Sequence, residues 1–337
     1  MEKKIEDRSS TNRAVITGCG SFVPAKILTN DDLARMVETS DEWITSRTGI
    51  KVRHITSDGE STAYLATEAA KRALAYAGIG AEDLNLITVA TITPEMVFPS
   101  TACFVQQALG AKSAWAFDIG AACSGFVYSL HLVHQLIANG RVNNALVIGA
   151  ETLTKITNWK DRTSCILFGD GAGAVVLQRK HDAGRGIMYS TVGADGTFWE
   201  SLNCQAYGSR HPSPKPLADP DKVFMQIKGR EVYQQAVRRI VDAVTDCLEH
   251  CRLTLNDIAM VISHQMNARI IESAAKRLNL PDEKVFINIQ NYGNTSAASV
   301  PIAFDECVRQ GKVKKGDTVI FVAFGAGVTW GANVIEF

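Results

Sequence analysis

The sequence predicts an α/β protein built from two pseudo-symmetric halves, and three observations carry that prediction. The first is an internal repeat. Segment AACSGFVYSLHLVHQLIANGRV (121–142) falls on YGNTSAASVPIAFDECVRQGKV (292–313), setting Cys123 on Asn294 at a shift of 171 positions (294 − 123 = 171) and Gly140 on Gly311. The second lies upstream: AAKRALAYAGIGAEDLNLITVAT (69–91) resembles AVTDCLEHCRLTLNDIAMVISHQ (243–265), with Ala90 on His264 at a shift of 174. The third is that LNLITVA, NALVIGAE and AGAVVLQ are continuous apolar runs, the pattern of strands covered on both sheet faces.

Taken in order, a polar tail (1–13) precedes a first half (14–180) and a second half (181–337). Each half reads helix, strand, connection, helix, strand. That alternation predicts right-handed crossovers and a mostly parallel sheet. Within the first half, NDDLARMV and SDEWITSRTGI mark residues 30–60 as a helical insertion. The glycines Gly140 and Gly311 stop the two repeated helices. NALVIGAE (144–151) and DTVIFVAFGAG (317–327) read as the buried strands that follow. Residues 203–222, rich in Pro, Ser and Lys, read as a loop or lid.

Composition narrows the function. With 337 residues and 46% hydrophobic content the chain has material for a large core. Lys+Arg and Asp+Glu are both 35, which argues against a protein that coats nucleic acid or an anionic membrane. The charged start MEKKIEDRSSTNR is not a secretory signal, and no run reaches the roughly 18 apolar residues of a spanning helix. A cytoplasmic protein without membrane insertion is expected. Its eight cysteines read as reduced thiols. No metal site is expected. Cys247 and Cys251 in CLEHC fit the apolar face of a helix with Val237, Ile240 and Val244, and His131 and His134 read as packing residues. GDGAGAVVL (169–177) lacks the Lys-Ser/Thr of a phosphate loop and precedes a strand.

Three residues stand out for chemistry. Cys123 sits at a strand-to-helix junction, where unpaired amides and the helix dipole lower a thiol pKa from about 8.5. His264 ends the apolar strand IAMVIS, at the sheet edge that borders ligand crevices in α/β folds. Asn294 opens its helix. Each has an ordinary structural explanation when taken singly: a buried cysteine starting a core helix, a hydrogen-bonded loop histidine, an asparagine cap. The repeat is what draws them toward one site.

These residues sit in a set of segments that is specific when taken together: TSDEWITSRTGI, FPSTAC, DIGAACSGF, LFGDGAGAVVL, SHQMNARI, NYGNTSAAS and FGAGVTWGA. In them the chain resembles the thiolase-like condensing enzymes, and among those the β-ketoacyl-acyl-carrier-protein synthase III family, over nearly its whole length. The resemblance implies a five-layered α/β/α/β/α sandwich and a Cys-His-Asn triad at Cys123, His264 and Asn294. It implies a Cys123 acyl-enzyme formed from acyl-CoA, followed by condensation with malonyl-acyl carrier protein. Backbone amides of Cys123 and Ala326 would hold the oxyanion. Trp43, Arg47, Arg162, Asn267 and Phe324 would meet CoA or substrate, Trp43 stacking on adenine. Phe98 would reach the partner's acyl pocket in a homodimer. Acyl-CoA is a substrate in this scheme, and no cofactor is expected.

The residue types suit that chemistry. Decarboxylation supplies the carbanion, so two neutral donors suffice and an asparagine can stand where a proton-abstracting thiolase wants a second cysteine. A hydrolase wants a carboxylate orienting the histidine, and a 3-hydroxy-3-methylglutaryl-CoA-like step wants one near the nucleophile. Two positions depart from the family: Ala326 where its loop has glycine, and Met266 where it has alanine. A positive φ at Ala326 would be costly, and Met266 would crowd the substrate tunnel. Alternative readings are a same-fold acyltransferase of secondary metabolism and a non-catalytic acyl-CoA or carrier-protein binder.

Overall fold

The computed structural model describes residues 12–181, 184–206, 208–212 and 219–337. Most of the predicted polar tail, and residues 207 and 213–218 of the predicted lid, lie outside the described residues.

The first half contains β1 (Asn12–Phe22), β2 (Ile27–Thr29), α1 (Asn30–Ala34), α2 (Asp41–Thr48), β3 (Val52–His54) and α3 (Thr62–Ala77). It continues through β4 (Leu86–Ala90), α4 (Thr101–Leu109), β5 (Trp115–Ile119), α5 (Gly125–Ala138), β6 (Asn144–Thr152) and β7 (Asp170–His181). The second half contains β8 (Gly186–Ala194), β9 (Leu202–Cys204), β10 (Met225–Ile227), α6 (Gly229–Cys251), β11 (Met260–Ser263) and α7 (Ala268–Leu278). It ends with α8 (Ile289–Tyr292), α9 (Ser299–Arg309), β12 (Thr318–Gly325) and β13 (Thr329–Glu336).

The two main sheets run β1-β7-β6-β4-β5 and β8-β13-β12-β11, the same order from the same end. Where the first sheet adds β5, the second adds a single parallel bridge between Val261 and Val285. Both sheets are mixed, which corrects the expectation of mostly parallel pairing. β4 pairs parallel with β5 and β6, and β11 with β12, but β7 and β13 run antiparallel to both their neighbours. No α-helix separates β6 from β7 or β12 from β13, so the chain reverses there. The apolar run AGAVVLQ reports that both faces of β7 are covered; it carries no information on direction.

Alternate strand residues build three cores and thereby five layers. Val319, Phe321 and Ala323 of β12 and Ala145 and Val147 of β6 pack on α5 and α9, which lie between the sheets. Leu146 and Ile148 face α3 and α4 on one outside, and Ile320 and Val322 face α6 and α7 on the other. Cys247 and Cys251 join that last core, and His250 stacks on Tyr189 with centroids 3.9 Å apart. The insertion carrying α1 and α2 is pinned by Arg53, which is fully buried and donates to Asn30 Oδ1 (2.7 Å) and the Ile166 carbonyl (2.6 Å).

The buried helices also correct the register of the repeat. Each is entered through a 3₁₀ turn, Ala122–Ser124 or Ser296–Ala298, whose first residue is left-handed: φ is 46° at Ala122 and 49° at Ser296. Each is followed by a left-handed glycine, φ 70° at Gly140 and 69° at Gly311. The glycines are 171 apart, but the entries are 174 apart (296 − 122 = 174). The three-residue difference is the difference in helix length, 14 residues in α5 against 11 in α9. The counterpart of Cys123 is therefore Ala297, and that of Asn294 is Gly120. The sequence overlay follows the shared helix ends, and a turn lost inside a helix leaves no mark in such an overlay.

Candidate active site

One cavity of about 390 Å³ is lined by Cys123, His264 and Asn294 together. Cys123 comes from the turn before α5, His264 from the residue after β11, and Asn294 from the segment leading to α9. The pseudo-symmetry thus brings the thiol from one half to two polar groups of the other, although Cys123 and Asn294 are not equivalent positions.

Cys123 is 7% exposed. Burial pushes its thiol up to about 12, the Ser296 side chain and the Cys123 amide pull the other way, and the nearby Glu151 charge adds to the rise. This corrects the expected thiolate. The helix-start amides are present, but the loss of water around sulfur outweighs them, and the resting site holds a thiol.

His264 is 1% exposed, and burial pushes its imidazole down to about 3, so the ring is neutral near pH 7. Its Nδ1 lies 2.6 Å from Ser299 Oγ, which also accepts from the Gln265 amide at 3.3 Å. With that amide pointed at it, the hydroxyl sends its own proton to Nδ1, the acceptor within reach. The ring proton then sits on Nε2, leaving a donor for the cavity. Asn294 is fixed the same way. Its Oδ1 accepts from the Ser296 amide at 2.8 Å, which leaves Nδ2 as the end free to donate. Its backbone is tied to the first half, donating to Leu167 O (2.8 Å) and accepting from the Gly169 amide (3.0 Å). A buried thiol facing two neutral donors can accept an acyl group and stabilise an anion on a carbonyl oxygen.

Ala326 lines the cavity beside Gly325 and Phe324. The expected strain there is absent: the positive φ of that loop falls on Gly327, at 133°. Met266 is 8% exposed and forms cavity wall and core at once. Phe324 does likewise at 2% exposure. Asn267 reaches the cavity, caps α7 by accepting from the Arg269 amide (2.9 Å), and donates to the Arg47 carbonyl at 3.1 Å. Arg47 and Arg162 both stack on the Trp43 ring, at 4.5 and 4.7 Å from its centroid. These three form a cluster joined to the cavity through Asn267 and do not themselves line it. Phe98 lies outside the cavity and is 81% exposed, next to Val97 at 88%.

Sequence reading missed three polar residues. Ser296 and Ser299 fix Asn294 and His264, and only their place in NYGNTSAAS hinted at it. Glu151, a carboxylate ending the apolar strand NALVIGAE, is fully buried behind Cys123. It does not line the cavity, so it is not the substrate-facing base of a 3-hydroxy-3-methylglutaryl-CoA-like step.

Five layers, a cysteine on a strained turn and an imidazole and carboxamide from the opposite half define a thiolase-like condensing architecture. Residues 117–196 match the family described as 3-oxoacyl-[acyl-carrier-protein (ACP)] synthase III, and residues 248–337 match its C-terminal counterpart. A protein named β-ketoacyl-[acyl-carrier-protein] synthase III from Caldanaerobacter subterraneus subsp. tengcongensis is 54% identical over 324 residues, covering 96% of this chain and 98% of that one. The crystal structure of 3-oxoacyl-[acyl-carrier-protein] synthase III from Aquifex aeolicus superposes with a TM-score of 0.90 at 46% identity, covering 96% of this chain and 100% of that one. The priming β-ketosynthase of the R1128 polyketide pathway also superposes at 0.90, at 32% identity, covering 96% of each chain. The chain belongs to the β-ketoacyl-acyl-carrier-protein synthase III family.

Proposed function

We propose that this chain catalyses the decarboxylating condensation of a short acyl-CoA with malonyl-acyl carrier protein, releasing CoA and carbon dioxide and starting fatty-acid chains. The observation that carries the reading is the meeting of Cys123, His264 and Asn294 on one cavity, with the imidazole held at Nδ1 by Ser299 Oγ and the carboxamide held at Oδ1 by the Ser296 amide.

In this reading Cys123 sulfur attacks the thioester carbon of acyl-CoA and expels CoA, leaving an acyl-enzyme. The Cys123 and Ala326 amides hold the oxyanion. Malonyl-acyl carrier protein then presents its thioester oxygen to His264 and Asn294. Carbon dioxide leaves, the enolate forms against the two donors, and its carbon attacks the acyl-enzyme. The neutral imidazole fits this task, since a donor is needed and a base is not. Trp43, Arg47, Arg162, Asn267 and Phe324 would hold the CoA or pantetheine moiety, and no further cofactor takes part.

We further infer a cytoplasmic homodimer. Exposed Val97 and Phe98, together with Trp115 at 49% exposure on edge strand β5, form apolar surface that a second copy would cover. All eight cysteines are free, as in a reducing compartment, and among the described residues no helix is long and apolar enough to cross a membrane. The binder reading rested on Ala326 and Met266; the relaxed backbone of the first and the wall position of the second remove its support.

Intact-mass measurement across a panel of acyl-CoA lengths tests the reading. A single acyl adduct on Cys123, absent in Cys123→Ala, is expected. Asn294→Ala should still acylate but lose release of carbon dioxide from malonyl-carrier protein by roughly 10²- to 10³-fold. A wild-type protein that takes no adduct from any primer would overturn it.

A further inference from the structure

Glu151 is a buried titratable group that the proposed steps leave without a task. Its side chain is fully buried at the end of β6, and five donors converge on it. Thr93 Oγ1 (2.6 Å), Thr91 Oγ1 (3.1 Å) and the amides of Ile92 and Thr93 (3.1 and 3.2 Å) hold it from the loop after β4. Ser296 Oγ, from the left-handed turn before α9, donates to Oε1 at 3.0 Å. Ser296 also lines the cavity beside Cys123, and its side chain is one of the groups that act on the thiol. Ser296 thus shares the cavity wall with the nucleophile while its hydroxyl donates to a carboxylate that is itself fully buried and does not line the cavity.

The neighbours of Glu151 are otherwise neutral. The threonines and amides carry no charge, Cys123 is the titratable group coupled to it, and His264 across the cavity is uncharged. Burial holds the Glu151 carboxyl up to about 7, against the pull of those donors, which suits a group that exchanges a proton near neutrality. The site needs such a group, because the resting thiol is far from ionised.

We propose that Glu151 is a positioning residue for the Cys123 proton, acting through Ser296. This rests on the acyl-transfer reading above. As sulfur bonds to the thioester carbon, the S–H proton passes to Ser296 Oγ and the Ser296 proton passes to Glu151 Oε1. When the C–S bond to CoA breaks, the proton returns through Ser296 to the CoA sulfur. Glu151 ends as it began, and the half-reaction takes up and releases no net proton.

A carboxylate acting only as a nearby negative charge predicts the opposite sign. Glu151→Gln would then relieve the thiol and speed its reaction. The proton route predicts slower acylation, by about 10²-fold or more at pH 7. The experiment is pre-steady-state acylation by a short acyl-CoA, read by intact mass from pH 5.5 to 9.5. Wild-type rates should rise through the Glu151 range and level off. In Glu151→Gln and Ser296→Ala the inflection should vanish and the rate should climb steadily with hydroxide. The wild-type rate should also fall about 2-fold or more in deuterium oxide, an effect both variants lose, and this arm needs no variant to fold. Equal or faster acylation by Glu151→Gln, or a wild-type rate unchanged in deuterium oxide, overturns the proton route. Wild-type protein that does not acylate at all overturns the acyl-transfer reading instead.

Discussion

Gly325, at the end of β12, lies so close to Cys123 that a Cβ built on it would stand 2.8 Å from the Cys123 amide nitrogen. The other half repeats the arrangement. A Cβ on Gly149 of β6 would run into the carbonyl of Ala297, the counterpart of Cys123. Each sheet therefore presses a bare glycine against the turn that opens the other half's buried helix.

Gly325→Ala should push the Cys123 turn outward. We expect a stability loss of about 1–3 kcal/mol, typical of overpacking, and Cys123 acylation slowed at least 10-fold. Denaturant unfolding and intact-mass kinetics read the two effects. An alanine variant that acylates at the wild-type rate would show that the turn is not held by this contact.

Ser299 sets the ring proton of His264. Ser299→Ala removes the partner of Nδ1 and lets the other tautomer form, which turns an acceptor toward the cavity. Decarboxylation should fall about 10- to 100-fold while Cys123 acylation changes little. The two half-reactions are measured separately, by carbon dioxide release and by mass.

The pH dependence of stability has two opposing parts. His264 is held down to about 3 in the folded chain, against a usual value of 6.5, so the unfolded chain binds more protons between them and stability falls as pH drops through that range. Glu151 is held up to about 7, against 4.5, so the folded chain binds more protons there and stability falls as pH rises from 4.5 to 7. Removing the second part should show directly. Relative to wild type, Glu151→Gln should gain stability with rising pH across that window, at a slope of up to about 1.4 kcal/mol per pH unit. Unfolding free energies at three pH values check the sign.

Arg53 ties α1 to the segment that leads into β7. Arg53→Leu leaves Asn30 Oδ1 and the Ile166 carbonyl without their donor, and should cost about 2–4 kcal/mol. Thermal unfolding should report the loss, while Cys123 alkylation in the remaining folded protein stays near wild type. A loss under 0.5 kcal/mol would mean that water replaces the guanidinium.

Much of this protein was legible in its residues. Apolar runs such as NALVIGAE gave the buried strands, because covered sheets exclude polar side chains along their length. Glycines such as Gly140 and Gly311 marked helix ends, because few other residues accept a left-handed backbone. The seven segments around Cys123, His264 and Asn294 pointed to one cavity.

Strand direction, repeat register and protonation were decided only by the tertiary structure. An apolar strand looks the same whichever way its neighbour runs. A turn dropped from α9 moves Asn294 away from the place of Cys123 without disturbing the flanking pattern. The thiol and imidazole take their charge states from how much water the surrounding layers exclude. Glu151 is tied to the cavity of Cys123 by Ser296, a residue of the opposite half.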